Sequence, residues 1–166
     1  PRLTIREAVQ QHTGIDYMDY PDAPSLVQAI KDELGETVSA DQPWGRIVVE
    51  YLLGNHVEPH LIQPTIIKDY PRDVSPFAKP TEYDPNHTER FEFFIAGMEL
   101  GNAFTELNDP FDQEARFREM AELYQQGDDE ETPFDDDYLR AMRYGMPPMG
   151  GFGTGVDRMV MLFTDQ

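Results

Sequence analysis

Apolar residues recur along the chain with two different periods, and the period changes near residue 60. Thr4-Ile5-Arg6-Glu7 sets a hydroxyl three residues before a carboxylate, the capping-box pattern of a helix start. It predicts a helix from about Ile5 to His12 that stops near Gly14. Residues Tyr17 to Pro24 are turn-rich. Leu26, Ile30 and Leu34 then fall on one helical face and end at Gly35, a residue suited to a left-handed cap. A third helix is predicted over Arg46 to Leu53, closed by Gly54. The first 55 residues thus read as a helical subregion that carries no obvious chemistry.

From Leu61 the pattern becomes β-like, and residues 60–166 read as the sheet-bearing part. Leu61 to Ile67 is rich in β-formers, and Pro64 within it predicts an edge strand or a bulge. Tyr70 to Pro85 is punctuated by prolines and reads as an extended loop. Arg90 to Ile95 and Met98 to Phe104 flank Ala96-Gly97, which predicts a hairpin with a two-residue turn. Asp109-Pro110 opens the next helix with an acidic cap and a proline at the first helical position. Phe117, Met120, Ala121 and Tyr124 form its apolar face and Gly127 ends it. Asp128 to Asp137 reads as a solvated acidic loop, Tyr138 to Tyr144 as a short helix ended by Gly145. A glycine-rich turn over Gly150 to Gly155 and an apolar helical run from Val156 to Phe163 close the sequence.

The length of 166 residues suits one domain with a sizeable core. Pro1 without an initiator Met, and the apolar run just before Gln166, read as cuts in a longer chain. The net charge of −19, from 32 acids against 13 Lys and Arg, argues against a general grip on nucleic acid, whose phosphates are met mostly by cations. It suits a cationic substrate or a metal ion, though solubility alone is the simpler account of the charge. Cysteine is absent, which excludes disulfides and thiolate metal sites and agrees with a cytoplasmic setting. No membrane-length apolar stretch and no export leader are read.

Three groups of residues could carry chemistry. Glu92 and Glu99 flank the predicted turn. With Ile95 opposite Met98, Phe94 opposite Glu99 and Glu92 opposite Gly101, the two carboxylates share a face and stand diagonally, roughly 7–8 Å apart at the backbone. Such a pair could converge on Mg²⁺, which takes one or two carboxylates beside substrate phosphates. Two unrelated glutamates on a solvated face would show the same spacing. In the second group, Gly151, Gly153 and Gly155 allow close backbone approach to a ligand, and Arg158 brings a cationic fork to the start of the following helix. This is neither a P-loop nor a dinucleotide fingerprint, and a plain glycine-rich turn into a buried helix fits as well. Asn102, Phe104 and Glu106 alternate along one strand and could hold an ammonium-bearing ligand between a carboxylate and an aromatic ring, although an exposed strand face would show the same spacing. Strict alternation sets Glu99 and Asn102 on opposite faces, so a shared site requires an irregularity, predicted at Gly101-Asn102. His12, His56, His60 and His87 show no metal-ligand spacing and read as surface or structural.

The order of these pieces resembles that of bacterial-type lysyl-tRNA synthetases. The resemblance rests on His60 to Thr65, Tyr70-Pro71, Val74 to Lys79, Arg90 to Phe94, Glu99 to Pro110 and Tyr144 to Pro148, and on Gly151 to Arg158, which looks like motif 3 of class II synthetases. It implies an α+β fold, a mainly antiparallel sheet with flanking helices, spanning residues 1–166 as the C-terminal portion of a class II catalytic domain. It implies that Glu92 and Glu99 bind Mg²⁺ with ATP, that Gly151, Gly153, Gly155 and Arg158 line the ATP site with Arg158 as the catalytic arginine, and that Asn102, Phe104 and Glu106 line the lysine pocket. The implied reaction forms lysyl-adenylate from lysine and ATP and passes the lysyl group to tRNA(Lys), in an intact enzyme that is a cytoplasmic homodimer. Motifs 1 and 2, the anticodon-binding domain and the strand after motif 3 are not found, so the stretch alone is expected to be inactive and to expose apolar surface. A paralogue that lysylates protein, a lysine-lipid-forming enzyme and a non-catalytic binding module share enough of the pattern to remain alternatives.

Overall fold

The structure, a computed structural model, describes residues 1–125 and 134–166. Five strands form one sheet in the order β1-β2-β3-β4-β5: β1 Arg2–Thr4, β2 Thr65–Pro71, β3 His87–Ile95, β4 Met98–Thr105 and β5 Gly150–Thr154. β1 runs parallel to β2, and the other three pairings are antiparallel. The fold is therefore α+β with a mainly antiparallel sheet and flanking helices, as expected. β1 is a strand the periodicity did not show. Three residues are too few to display alternation, and β1 is extended because it pairs with β2.

Helix α1, Ile5–Thr13, starts at the predicted capping box and ends at Gly14, whose φ of 77° is the left-handed cap. Helix α2, Ala23–Leu34, begins behind Asp22, whose side chain accepts from the Ser25 amide, and ends at left-handed Gly35. The third helix, α3, departs from expectation. It runs over residues 44–56, with Trp44–Arg46 and Gly54–His56 flanking a π-spaced stretch, Ile47–Leu53. Gly54 does not close it, because its φ of −60° is ordinary helix and the chain continues through it. Wider π spacing keeps Ile47, Val48, Leu52 and Leu53 all buried on one side.

These helices cover one face of β1 to β3, where Ile67 and Phe94 are fully buried against Ile5, Leu26, Ile30 and Leu52. Each such aliphatic side chain contributes about 1.5–3 kcal/mol relative to exposure. β2 begins only after Pro64 and lies between β1 and β3, so it is no edge strand. Its irregularity sits at Asp69 rather than at the proline: φ is 66° and the register with β3 shifts between Lys68 and Tyr70. Tyr70 and Pro71 finish this strand instead of opening a loop, and a 3₁₀ turn, Arg72–Val74, follows.

Helix α4, Pro110–Gln125, starts where Asp109 accepts from the amide of Phe111. Phe117 is buried and Met120 and Ala121 are half-buried, while the Tyr124 side chain and Gly127 lie outside the described residues. Of the acidic run, Asp135 caps helix α5, Asp136–Gly145, and Asp136 and Asp137 form its first turn, where negative charge suits the helix dipole. The earlier part of that run lies outside the described residues. α4 and α5 pack through Phe117, Leu139 and Met142 against Phe77. The predicted glycine-rich turn is instead strand β5, followed by helix α6, Val156–Thr164. That last helix buries none of its residues, and Val156, Phe163 and the nearby Phe152 stand mostly exposed. Among the described residues no helix is long and apolar enough to cross a membrane. His87 is buried between Tyr17 and Asp84, His12 stacks on His60, and His56 meets Glu36.

Candidate active site

The hairpin turn forms at Ala96-Gly97, both with φ near +60 to +70° (56° and 73°), the geometry that matches strand twist in a two-residue loop. It is anchored from outside the hairpin, since the Ala96 amide donates to the Ile62 carbonyl and the Gly97 amide to that of Leu61. Ile95 pairs with Met98 and Phe94 with Glu99, as predicted. The next step differs. The register shifts at Leu100, so Phe93 faces Gly101 and Glu92 faces Asn102. The irregularity thus falls one residue earlier than expected, at Leu100, and Gly101 joins the opposite face from Glu92.

This bulge gathers the predicted groups. Residues opposite one another share a face, so Arg90, Glu92, Phe94, Glu99, Asn102 and Phe104 now point the same way. β5 extends the face, with Gly153 opposite Asn102 and Gly151 opposite Phe104. Both glycines leave the face bare there, while Phe152 between them stacks on Phe93 on the other side. Gly101 is required on that other side: a Cβ on it would lie 2.1 Å from the Gly153 carbonyl and 2.8 Å from the Thr154 Cα. The helices that cover β1 to β3 stop short of β4 and β5, leaving Glu99, Asn102, Phe104 and Glu106 half-buried.

The bulge also ties the glycine-rich segment to the hairpin. The Leu100 carbonyl accepts from the Gly155 amide at 2.8 Å and from the Thr154 hydroxyl at 2.9 Å. The Glu99 carbonyl accepts from Arg158 Nη1 at 2.6 Å, and the Glu99 carboxylate lies 3.3 Å from the same nitrogen. Arg158 and Glu99 therefore stand together at one end of the face. At the other end, Glu106 reaches over β5. Its Oε1 lies 2.2 Å from the position a Cβ on Gly151 would take, so only glycine leaves room for it. The structure places Gly151 at this Glu106 end, apart from the Arg158 end with which the sequence reading groups it.

Burial shapes the electrostatics. Glu92 is 7% exposed, and burial pushes its carboxyl above the ordinary value, opposed by Arg90 and a hydrogen bond from Tyr70 and reinforced by Glu99. Glu58, in the 3₁₀ turn Glu58–His60, is likewise raised by burial, then by Glu92 and Glu99, while Arg158 lowers it. Burial alone raises Glu106. Among the described residues no three acidic, His or Cys side chains gather closely enough to hold a metal ion by themselves. Glu92, buried, and Glu99, half-exposed on the same face, are nevertheless the kind of donors that suit Mg²⁺, which completes its oxygen shell with water and substrate phosphate.

Sequence reasoning missed Tyr70, Arg90 and Glu58 as members of this neighbourhood. Arg90 is two residues from Glu92, so its shared face was readable from alternation. Tyr70 and Glu58 come from distant segments and left no local signal.

The chain is similar to known proteins along its whole length. The family described as tRNA synthetases class II (D, K and N) matches residues 1–166. The lysine–tRNA ligase of Chloroflexus aurantiacus is 51% identical over 166 residues, covering 100% of this chain and 33% of the relative. That of Roseiflexus castenholzii is 50% identical over 165 residues, and that of Dehalococcoides mccartyi 49% over 166, each covering 99% of this chain and 33% of the relative. The chain thus spans about a third of the length of these curated relatives.

Proposed function

Since the chain belongs to the class II tRNA synthetases of the D, K and N group, we propose that it supplies the lysine-binding and part of the ATP-binding surface of a lysine–tRNA ligase. The observation that carries this reading is the single face on which Glu92, Glu99, Asn102, Phe104 and Glu106 are gathered by the Leu100 bulge. An ammonium-binding end and a phosphate-binding end then lie on one continuous floor.

In this reading Glu106 holds the lysine ε-ammonium, and the Phe104 ring lies along the alkyl stem. Asn102, between them and Glu99, orients the α-carbon end with its amide. The lysine carboxylate attacks the α-phosphate of ATP, releasing pyrophosphate and forming lysyl-adenylate, and a ribose hydroxyl at the tRNA end later takes the lysyl group, releasing AMP. No protein nucleophile is required, so positioning and charge neutralisation carry the rate. Arg158, at the first turn of α6, offers its guanidinium to the nucleotide, and Gly153 and Gly155 keep the floor beneath it free of side chains. Glu92 and Glu99 would hold the Mg²⁺ that accompanies ATP and neutralises charge on its phosphates. ATP, lysine, tRNA(Lys) and a second subunit are the partners of the whole enzyme, and the cytoplasm its setting.

The test is amino-acid-dependent ATP–pyrophosphate exchange by the full-length ligase that carries this chain, with and without Glu106→Ala. Exchange with lysine alone, lost in the variant, is expected. These 166 residues by themselves should give none. Exchange driven by another amino acid, or full activity in the variant, would overturn the assignment of Glu106.

A further inference from the structure

We propose that Tyr70 and Arg90 are positioning residues that set the orientation of the Glu92 carboxylate toward the divalent cation accompanying the nucleotide. This rests on the reading of Glu92 given above.

Each oxygen of Glu92 is held separately. Oε2 accepts from the Tyr70 hydroxyl at 2.8 Å and Oε1 from Arg90 Nη2 at 2.6 Å. A carboxylate offers about four lone-pair positions, so each oxygen keeps a free one, and a hydrogen bond on both oxygens prevents the group from rotating. Arg90 is itself immobilised. Its Nη1 donates to the Val74 carbonyl at 2.9 Å and to the Ser75 hydroxyl at 3.1 Å, and its guanidinium carbon lies 4.8 Å from the centre of the Tyr70 ring. Tyr70 is fully buried. It reaches Glu92 only because of the Asp69 irregularity. Ile67 pairs with Glu92 and so lies on the site face. Strict alternation would turn the residue three positions on to the opposite face. With Asp69 inserted at φ 66°, Tyr70 instead pairs with Thr88 and returns to the site face. The Glu99 carboxylate contrasts with this: its side chain is 32% exposed and its ion pair with Arg158, itself 51% exposed, is 3.3 Å long. Glu92 is thus the rigid carboxylate of the pair and Glu99 the adaptable one. Mg²⁺ demands near-ideal octahedral geometry, so losing the fixed orientation weakens cation binding even with Glu92 intact.

The test uses Tyr70→Phe, which keeps the ring and removes one hydrogen bond, and Arg90→Lys, which keeps the charge and removes the planar fork, in the full-length ligase. Mn²⁺ binding in the presence of a non-hydrolysable ATP analogue is read by electron paramagnetic resonance, beside lysine affinity and the urea midpoint. Tyr70→Phe should weaken Mn²⁺ binding about tenfold and leave lysine affinity unchanged. Arg90→Lys should do the same wherever its urea midpoint shows it folded. Glu92→Gln separates the two levels of argument. If Glu92→Gln weakens Mn²⁺ binding and a folded Tyr70→Phe does not, the positioning role is wrong and the ligand assignment stands. If neither weakens it, Glu92 is not a ligand and both fall. A loss of stability in Tyr70→Phe with unchanged Mn²⁺ affinity would mean a purely structural hydroxyl and would overturn the inference.

Discussion

Glu92 of β3 lies directly across from Asn102 of β4, one residue out of the register that an unbroken hairpin from Ala96-Gly97 would give. The extra residue is Leu100, and its carbonyl receives hydrogen bonds from Thr154 and Gly155. Deleting Leu100 should close the bulge into an even ladder that still sets Asn102 opposite Glu92 and Phe104 opposite Arg90, and it removes the carbonyl that receives Thr154 and Gly155. Titration calorimetry on the full-length ligase should then find lysine still bound and a non-hydrolysable ATP analogue bound more weakly. Leu100→Ala keeps the bulge, and although it should cost about 2–4 kcal/mol of stability, lysine should still bind.

Gly151 and Gly153 occupy the same face of β5 and should respond differently. A Cβ at Gly151 meets the Glu106 carboxylate, whereas one at Gly153 meets nothing within 4 Å. Gly151→Ala pushes Glu106 out of place and should raise the lysine KM roughly tenfold, equivalent to about 1.4 kcal/mol. Gly153→Ala should leave the lysine KM unchanged and affect the ATP KM instead. Steady-state exchange kinetics separate the two.

Burial raises the Glu106 carboxyl above its ordinary value. The ionised form is the one that pairs with an ammonium, so lysine affinity should be full above the raised value and fall as pH drops through it. The lysine KM should therefore rise from neutrality downward earlier than an ordinary carboxylate would require. Glu106→Gln should bind lysine weakly with a flat profile, and a pH series of KM checks the sign.

Arg116 is 2% exposed and donates to the Ser75 and Ala78 carbonyls while pairing with Asp112 at 2.9 Å. The loop it holds backs the Glu106 strand end, since the Lys79 amide donates to the Thr105 carbonyl and the Leu107 amide to that of Phe77. Arg116→Met should destabilise by about 2–4 kcal/mol, because two buried carbonyls lose a charged donor. Urea denaturation measures this, and a raised lysine KM should accompany it.

Ala96 sits at φ 56° in the turn, a conformation that costs an L-residue roughly 1–2 kcal/mol. Ala96→Asn suits that position and keeps the amide that donates to Ile62. It should stabilise the protein by about 0.5–1 kcal/mol, read as a raised melting temperature.

Short-range chemistry was legible in the sequence. The capping box at Thr4 and Glu7, the stops at Gly14 and Gly35, the cap at Asp109 and the turn at Ala96-Gly97 depend on neighbours within a few residues, and each forms where its pattern says. The need for a kink between Glu99 and Asn102 was legible too, because alternation alone set two chemically related groups on opposite faces. Tertiary contacts decided where the kink falls. It lies at Leu100 because that carbonyl is claimed by Thr154 and Gly155, more than fifty residues away. Contacts across the fold likewise carried α3 through Gly54, made a strand of Gly150–Thr154 by pairing it with β4, and used Asp69 to aim Tyr70 at Glu92. A backbone group's partner across a sheet has no fixed offset along the chain, so periodicity can place residues on one side of a strand but not give the register that brings two strands' residues together.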